Sequence, residues 1–583
     1  LTKRTKHSFL HGALILTAAA VIVKIVGALF KIPLNIIIGG DGMGFFSTAY
    51  ELYMPVYVLS NAGLPVAIAR VVAECSASGR YLDARKTLWL ANIIFLITGF
   101  TGFCIMFFGA GVLVDFIGNP GAYLAVRAMA PTVFFVCLTS AYRGYYEGLQ
   151  NMYPTALSQV VEVVTKLVLG FGLAMFIYNA GMNGFNLNGT VFGKAYADFD
   201  SAQIAVAQYA AAGAILGVSA GALFSALAVF LRHKIIGDKI TPEELNAPQT
   251  VMRKRTLIKK IVTIAIPVAL GSIVGQLTGI IDLFSVLNRL GHAADLDFSA
   301  VIGAYKNADL AGKNIEDLPN FLFGCYKGMA VTLYNLIPTF TVAIGISALP
   351  PITVAWTSKN MTALKRNVES VLRVTMLLAI PAGIGLSVLS GRILMLLFGS
   401  RPTEAAVAAP LLTVLGIAVV FSSACSPINS MLQAIGHAKL PVKIMVVCAA
   451  IKLLINYELV GIPGINIMGA AIGTLVCYVL IMVISLIFLL KITRINPDLK
   501  SVFLMPLISG LICAAVAYCC ANLFDLFMPA RFSVVPAIIA GIIAYFAALV
   551  LLRVISEEDL RMLPNGEKLV AFYKKLPSIV SRH

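Results

Sequence analysis

The chain has 583 residues, 59% of them hydrophobic and 12% charged, with a mean hydropathy of +0.90. Soluble globular domains carry roughly half apolar and a quarter charged residues, so both a soluble fold and a disordered chain are excluded. The formal net charge of +17 would suit a nucleic-acid partner in a soluble protein. Here the basic residues fall in connections between apolar segments, where they set membrane topology and meet anionic headgroups, and no nucleic acid is expected.

Apolar windows of about 18 to 25 residues, enough to cross roughly 30 Å of hydrocarbon at 1.5 Å per residue, recur along the chain. They predict helices over 10–38, 44–70, 88–114, 124–148, 155–179, 206–232, 262–288, 328–350, 373–398, 408–433, 441–460, 467–491, 502–525 and 532–553. The first follows Lys3, Arg4 and Lys6 but is too long for a signal peptide, carries Lys24 and Lys31, and lacks a small-residue cleavage site. It reads as a retained helix. Most of the 44 Lys and Arg residues lie on the side of the N-terminus, which makes both termini cytoplasmic in a multi-pass protein of a bacterial cytoplasmic membrane.

A weak internal repeat recurs at a spacing of roughly 285 residues. Pro55 and Pro65 parallel Pro338 and Pro350, the outer turn at Phe116 to Asn119 parallels Leu397 to Ser400, and YYEGLQNMYPTALSQVV parallels MLQAIGHAKLPVKIMVV. The expected fold is therefore all-α, a polytopic membrane protein of about fourteen transmembrane helices in two pseudo-symmetric six-helix lobes plus two extra helices. The expected boundaries are an N-terminal lobe over 1–235, a cytoplasmic linker over 236–261, a C-terminal lobe over 262–495, the added helices over 496–555, and an amphipathic cytoplasmic tail over 556–583. Two polar, glycine-rich outer segments, 180–205 and 289–327, would either cover a vestibule or be unstructured insertions.

Charges inside spans mark function, because a lysine near the bilayer centre costs about 2.5 to 3.5 kcal/mol. Lys24 lies deep in the first span, and Lys31, seven residues on, falls on nearly the same helical face. Two cations facing one cavity suit a polyanion such as a pyrophosphate, whereas the structural alternative has Lys31 snorkelling outward and Lys24 paired with Glu51. Glu162 and Lys166 stand four apart in the favourable order for mutual neutralisation. Asp282 and Arg289 form a gate pair or a headgroup-level anchor, and Lys452 and Glu458 are similarly open. The acids among these are candidates to carry a coupling proton or sodium ion.

No catalytic constellation is present. The six histidines are scattered, and HExxH, nucleophile-elbow and phosphate-loop motifs are all missing from the sequence. The ten cysteines show no metal-ligand spacing. No cofactor or metal is expected, and the enzyme alternative, a membrane-embedded transferase using Asp309, Glu316 and Asp317, lacks a carboxylate dyad.

Four stretches resemble a known family: KIVGALFKIPLNIIIGGDGMGFFSTAYELY, RGYYEGLQNMYPTALSQVVE, GQLTGIIDLFSVLNRL and LYNLIPTFTVAIGISALPPITVAW. With the helix count, they resemble the polysaccharide-transport branch of the multidrug/oligosaccharidyl-lipid/polysaccharide (MOP) exporter superfamily, in particular its stage V sporulation protein B and MurJ-like lipid II flippase group. The resemblance implies an alternating-access flippase that carries an undecaprenyl-pyrophosphate-linked sugar, lipid II or a related cell-wall precursor, from inner to outer leaflet. It also implies a cationic central cavity fed by basic residues of the first helix and a lipid-tail groove at helices thirteen and fourteen. Lys24 matches the basic position of the first helix and Lys31 lies one residue out of register, with lysine replacing arginine at both, so the bidentate fork is lost. On the second helix only Glu51 and Arg70 are available for the family's further charges. The implied partners are the lipid-linked oligosaccharide, membrane lipids and cell-wall synthesis enzymes. A multidrug cation antiporter of the same superfamily and a non-transporting scaffold are the alternatives.

Overall fold

The computed structural model describes residues 9–58, 63–249, 251–305, 308–310 and 312–552. The first two expected spans form helices α1 (Phe9–Val58) and α2 (Leu64–Ala77). Helical geometry breaks inside α1 at Gly39, whose φ of 66° and ψ of −172° lie in a region that only glycine enters without strain. There follow α3 (Tyr81–Phe108), α4 (Ala110–Ile117), α5 (Tyr123–Gly148), α6 (Tyr153–Thr165), a π-helical turn at Lys166–Gly170, α7 (Phe171–Asn188) and α8 (Phe199–Ile236). After α9 (Pro242–Asn246) come α10 (Lys254–Val274), α11 (Leu277–Ile281), a π turn at Asp282–Val286, α12 (Leu287–Leu296) and α13 (Phe298–Gly303). The rest comprises α14 (Leu318–Cys325), a π turn at Tyr326–Ala330, α15 (Val331–Tyr334), α16 (Leu336–Thr357), α17 (Met361–Val388), α18 (Ser390–Leu397), α19 (Pro402–Ala434), α20 (Lys439–Val460) and α21 (Met468–Thr493). A π turn at Lys500–Leu504 then leads into α22 (Met505–Phe524), and α23 (Ala530–Leu551) ends the described chain.

Among the described residues, thirteen helices are long and apolar enough to cross a membrane. The first of them, Leu29–Val58, runs across the Gly39 break, and dividing α1 there yields the expected fourteenth segment. The helical architecture follows from the solvent. In hydrocarbon every backbone donor and acceptor must be satisfied within the segment, which leaves helices for so apolar a chain. Accordingly Phe108, Phe176, Ile346 and Ile543 stand exposed on the outsides of long helices, as lipid-facing side chains do.

Backbone proximity divides the chain into two units, 1–291 with 312–324, and 292–311 with 325–583. The first unit packs α1, α5, α6 and α8 around Phe30, Leu34, Met43, Phe46, Met129 and Ile215. In the second, α16, α17, α19 and α21 enclose Leu372, Met376, Ile428, Met431 and Leu489, while α22 and α23 pair with each other and lie against α17 and α18. The amphipathic tail expected over 556–583 lies outside the described residues.

The two outer segments are not unstructured insertions. Helix α7 continues nine residues past the expected end at 179, to Asn188, and a hairpin pairs Thr190 with Ala195 and Val191 with Lys194. Asp198 then caps α8 through the Ser201 amide at 2.8 Å, and Val191 buries itself among Ala202, Ala205 and Val206. In the 289–327 segment, Lys313 reaches the Asp41 carboxylate at 2.6 Å, and Asn320 donates to the Asp41 carbonyl at 2.9 Å. Polar side chains of this segment therefore satisfy groups just beyond the break in α1.

Candidate functional site

A cluster of charged and aromatic side chains lies inside the first unit, on α1, α5, α6 and the π turn that follows α6. Its position is set by α8. Gly217 and Gly221, four apart, form the small-residue stripe that lets helices approach closely in a membrane. A Cβ on Gly217 would fall 2.1 Å from the Gly170 Cα, and one on Gly221 would fall 2.6 Å from the Glu162 carbonyl oxygen. The stretch from Glu162 to Gly170 is thus pressed flush against α8, and its π turn carries Lys166 toward α1.

The Lys166 ammonium lies 4.9 Å from the Phe30 ring centroid and 5.0 Å from that of Tyr50. Lys31 approaches the same Tyr50 ring at 5.7 Å. Phe46 stacks on Tyr50 at 5.8 Å between centroids, and Tyr53 meets it edge-on at 6.1 Å, so the ring that gathers the two cations is itself held in place.

The expected pairing of Glu162 with Lys166 is not what forms. Glu162 accepts from Arg143 Nη2 at 2.9 Å, and Arg143 also donates to Ser158 Oγ at 2.7 Å and Ser225 Oγ at 3.3 Å. A guanidinium only 5% exposed needs a carboxylate and further acceptors to offset its desolvation, and Glu162 supplies the carboxylate. The π turn starting at Lys166 also widens the helix there, moving Lys166 off the face that four-residue spacing would give it. Among the described residues Lys166 forms no ion pair. Cation–π contact contributes about 0.5 to 2 kcal/mol per ring, against about 2.5 to 3.5 kcal/mol for a lysine in mid-membrane. The like charge of Lys31 on one shared ring opposes that gain, and an anion between the two would be attracted by both.

Asn35, one helical turn beyond Lys31, is fully buried, and neither its amide nitrogen nor its oxygen has a hydrogen-bond partner among the described residues. Unpaired buried amides cost about 1 to 3 kcal/mol and call for a reason. Glu51, next to Tyr50, fits against α11 because residue 279 is glycine: a Cβ there would fall 2.5 Å from the Glu51 Oε2. Three residues on, Asp282 opens the π turn and is 4% exposed. Arg289 is half-buried on α12.

Of the site residues expected from sequence, Lys31 and Lys166 are brought to one ring, Glu162 belongs to Arg143, and Glu51 faces α11 beside the stretch that carries Asp282. Lys24 lies on α1, but its side chain is outside the described residues. Arg143, Tyr50, Phe30 and Asn35 were not anticipated. The second unit adds Lys327, 6% exposed in its own π turn, and Lys452, 1% exposed on α20. Sequence assigned Lys327 to an outer segment and left Lys452 open. No disulfide joins the ten cysteines, which are mostly buried, and no group of metal-ligating side chains occurs among the described residues.

Comparison with known proteins follows the same lines. A family profile described as polysaccharide biosynthesis protein matches residues 9–358, and one described as lipid II flippase MurJ matches 330–543. The chain is 24% identical over 569 residues to stage V sporulation protein B of Bacillus subtilis strain 168, covering 97% of this chain and 99% of that one. It is also 24% identical over 484 residues to the lipid II flippase MurJ of the same organism, covering 81% and 80%. Among solved structures, a lipid II flippase MurJ in an inward closed conformation superposes with a TM-score of 0.62 at 14% identity, covering 92% of this chain and 98% of the other. An inward-facing multidrug resistance MATE transporter of the MOP superfamily gives 0.57 at 14% identity, covering 83% and 99%. With more than half of its length matched by the first of these profiles, the chain belongs to the polysaccharide biosynthesis protein family.

Proposed function

We propose that this membrane transporter is a flippase for an undecaprenyl-pyrophosphate-linked sugar, lipid II or a related wall or polysaccharide precursor, and that it moves its substrate from inner to outer leaflet by alternating access. The observation that carries this reading is the convergence of Lys31 and Lys166 on the Tyr50 ring while Arg143 holds Glu162. Two ammonium groups gathered on one aromatic ring favour a group with two phosphates, and α1 carries a further lysine, Lys24, seven residues before Lys31. Asn35 supplies an amide that can donate to a phosphate oxygen or accept from a sugar hydroxyl. In this reading Glu51 and Asp282 are the acids available to a coupling proton or sodium ion, Arg289 stands at the outer end of the same path, and both termini face the cytoplasm of a bacterial cell.

The reading is tested in proteoliposomes loaded with fluorescent lipid II and with a lipid of equal tail length that bears a neutral sugar and no phosphate, scored by a leaflet-specific quencher. Rapid exchange of the pyrophosphate lipid with slow exchange of the neutral one is expected. Export of lipophilic cations without lipid exchange would instead assign the chain to drug antiport, and a protein inert toward both would leave a scaffold among wall-synthesis enzymes.

A further inference from the structure

On the flank of the first unit, α3, α5 and α8 line two adjoining open cavities. One, of about 360 Å³, has a mixed lining that includes Arg85, His233 and Asp238. The other, of about 400 Å³, is lined by apolar side chains that include Ile93, Leu96, Leu227 and Phe230. Trp89, Asn92 and Tyr142 line both, so the two are successive parts of one trough.

The polar end carries positive charge. Asp238 is its acid, and both carboxylate oxygens are taken by Arg85, Nε at 2.8 Å and Nη2 at 2.9 Å, with Tyr145 donating to Oδ2 at 2.8 Å. Tyr146 gives its hydroxyl proton to the Gly237 carbonyl at 3.0 Å, so its 2.8 Å bond to His233 must be donated by the imidazole Nδ1. Nε2 is then the ring nitrogen left for the cavity, an acceptor suited to a hydroxyl rather than to a phosphate oxygen. Two exposed lysines complete the rim: the Lys254 ammonium lies 4.5 Å from the Trp89 ring and that of Lys234 lies 5.1 Å from the Phe230 ring. Trp89 and Leu96 are half-exposed on the outward side, so the apolar part opens where a membrane-spanning helix meets lipid.

From this arrangement we infer that the trough is a selective site for an anionic phospholipid, with the phosphodiester against Arg85 and Lys254, a headgroup hydroxyl donating to His233 Nε2, and an acyl chain lying along Ile93, Leu96, Leu227 and Phe230. A polar cradle joined end-on to a hydrocarbon groove is amphiphilic in the same order as a phospholipid, and the combined size suits a headgroup with the upper part of one chain. A zwitterionic lipid fills the groove equally well but gains nothing from Lys234 and Lys254.

Trp89 reports on the site directly, since the chain has only two tryptophans. The full-length W356F protein is titrated in mixed micelles with phosphatidylglycerol or phosphatidylcholine brominated on the acyl chain, and quenching of Trp89 is followed. With each lysine near the headgroup contributing about fivefold, half-maximal quenching is expected at a severalfold lower mole fraction of phosphatidylglycerol. K234Q with K254Q should abolish that preference without lowering maximal quenching. Equal quenching by both lipids in W356F alone overturns the proposal, as does a preference that survives the double substitution. Loss of the preference on adding millimolar inorganic phosphate would assign the cradle to a free anion and overturn it likewise.

Discussion

Arg143 on α5 holds the Glu162 carboxylate at 2.9 Å, and Lys166, one turn along from Glu162, is left to the rings of Phe30 and Tyr50. The ion pair and the cationic cluster are one arrangement, because the guanidinium withdraws the acid that would otherwise neutralise the lysine.

Breaking this pair on one side leaves a buried charge uncompensated, which costs about 3 to 5 kcal/mol, whereas replacing both partners with apolar residues of similar size is close to neutral. R143A is therefore expected to unfold at a markedly lower temperature in detergent, and R143M with E162L to recover most of the loss. A double variant as unstable as the single would show that the hydroxyls of Ser158 and Ser225, rather than the ion pair, set the energetics.

Asn35 separates binding from stability. Asn35→Leu removes an unpaired buried amide and should leave thermal stability unchanged or raise it by about 1 kcal/mol, yet slow lipid exchange at least fivefold. Stabilisation with full transport would make the amide a packing residue.

Gly279 keeps room for the Glu51 carboxylate. G279A adds a methyl where Oε2 now sits, 2.5 Å from the ideal Cβ position, and should reproduce the ion dependence of E51Q while changing the melting temperature little. Distinct ion profiles for the two variants would sever Glu51 from α11 in function.

Asp238, beyond the end of α8, gives a pH signature. Burial pushes its carboxyl up, but hydrogen bonds from Arg85, the Ile240 amide and Tyr145 outweigh this and hold it at about 2, below its ordinary 3.8. A depressed carboxyl stabilises the fold above its unfolded value, and that contribution is lost as pH falls from about 4 toward 2. The Arg85 side chain is 46% exposed, so screening limits the effect to about 1 to 2 kcal/mol. Melting curves between pH 6 and pH 3 should drop more steeply for the unaltered protein than for D238N.

Gly39 and the small-residue stripe of α8 are structural requirements. Gly39→Ala forces a Cβ into positive φ at about 1 to 3 kcal/mol. G217V should cost more, since a Cβ there would fall 2.1 Å from the Gly170 backbone, and it should lower both melting temperature and transport.

The helical plan was legible because hydrocarbon imposes segment length and internal hydrogen bonding, and even the break in α1 was marked by the Gly39–Gly40 pair between two apolar runs. Lys31 and Lys166 stood out as charges within spans. Their shared ring did not, since Tyr50 and Lys31 lie on opposite sides of the Gly39 break and a helical wheel cannot cross a non-helical residue. The partner of Glu162 was misread for a related reason: four-residue spacing describes an isolated helix, while a buried guanidinium arriving from α5 and a π turn at Lys166 decide the contact in the packed bundle. Arg143 carried its own signal, an arginine inside an apolar span. Lys327 did not, because it sits just ahead of an apolar run where sequence places a surface charge, and tertiary packing buries it.

The central claim is that Lys31 and Lys166 bind a pyrophosphate. Affinity for undecaprenyl pyrophosphate, measured by native mass spectrometry of the detergent-solubilised protein, should fall about tenfold for K31Q and about tenfold for K166Q, while undecaprenol binds all three proteins alike and their melting temperatures agree within a few degrees. Unchanged pyrophosphate affinity in the folded double variant, or an equal loss for undecaprenol, would contradict the account.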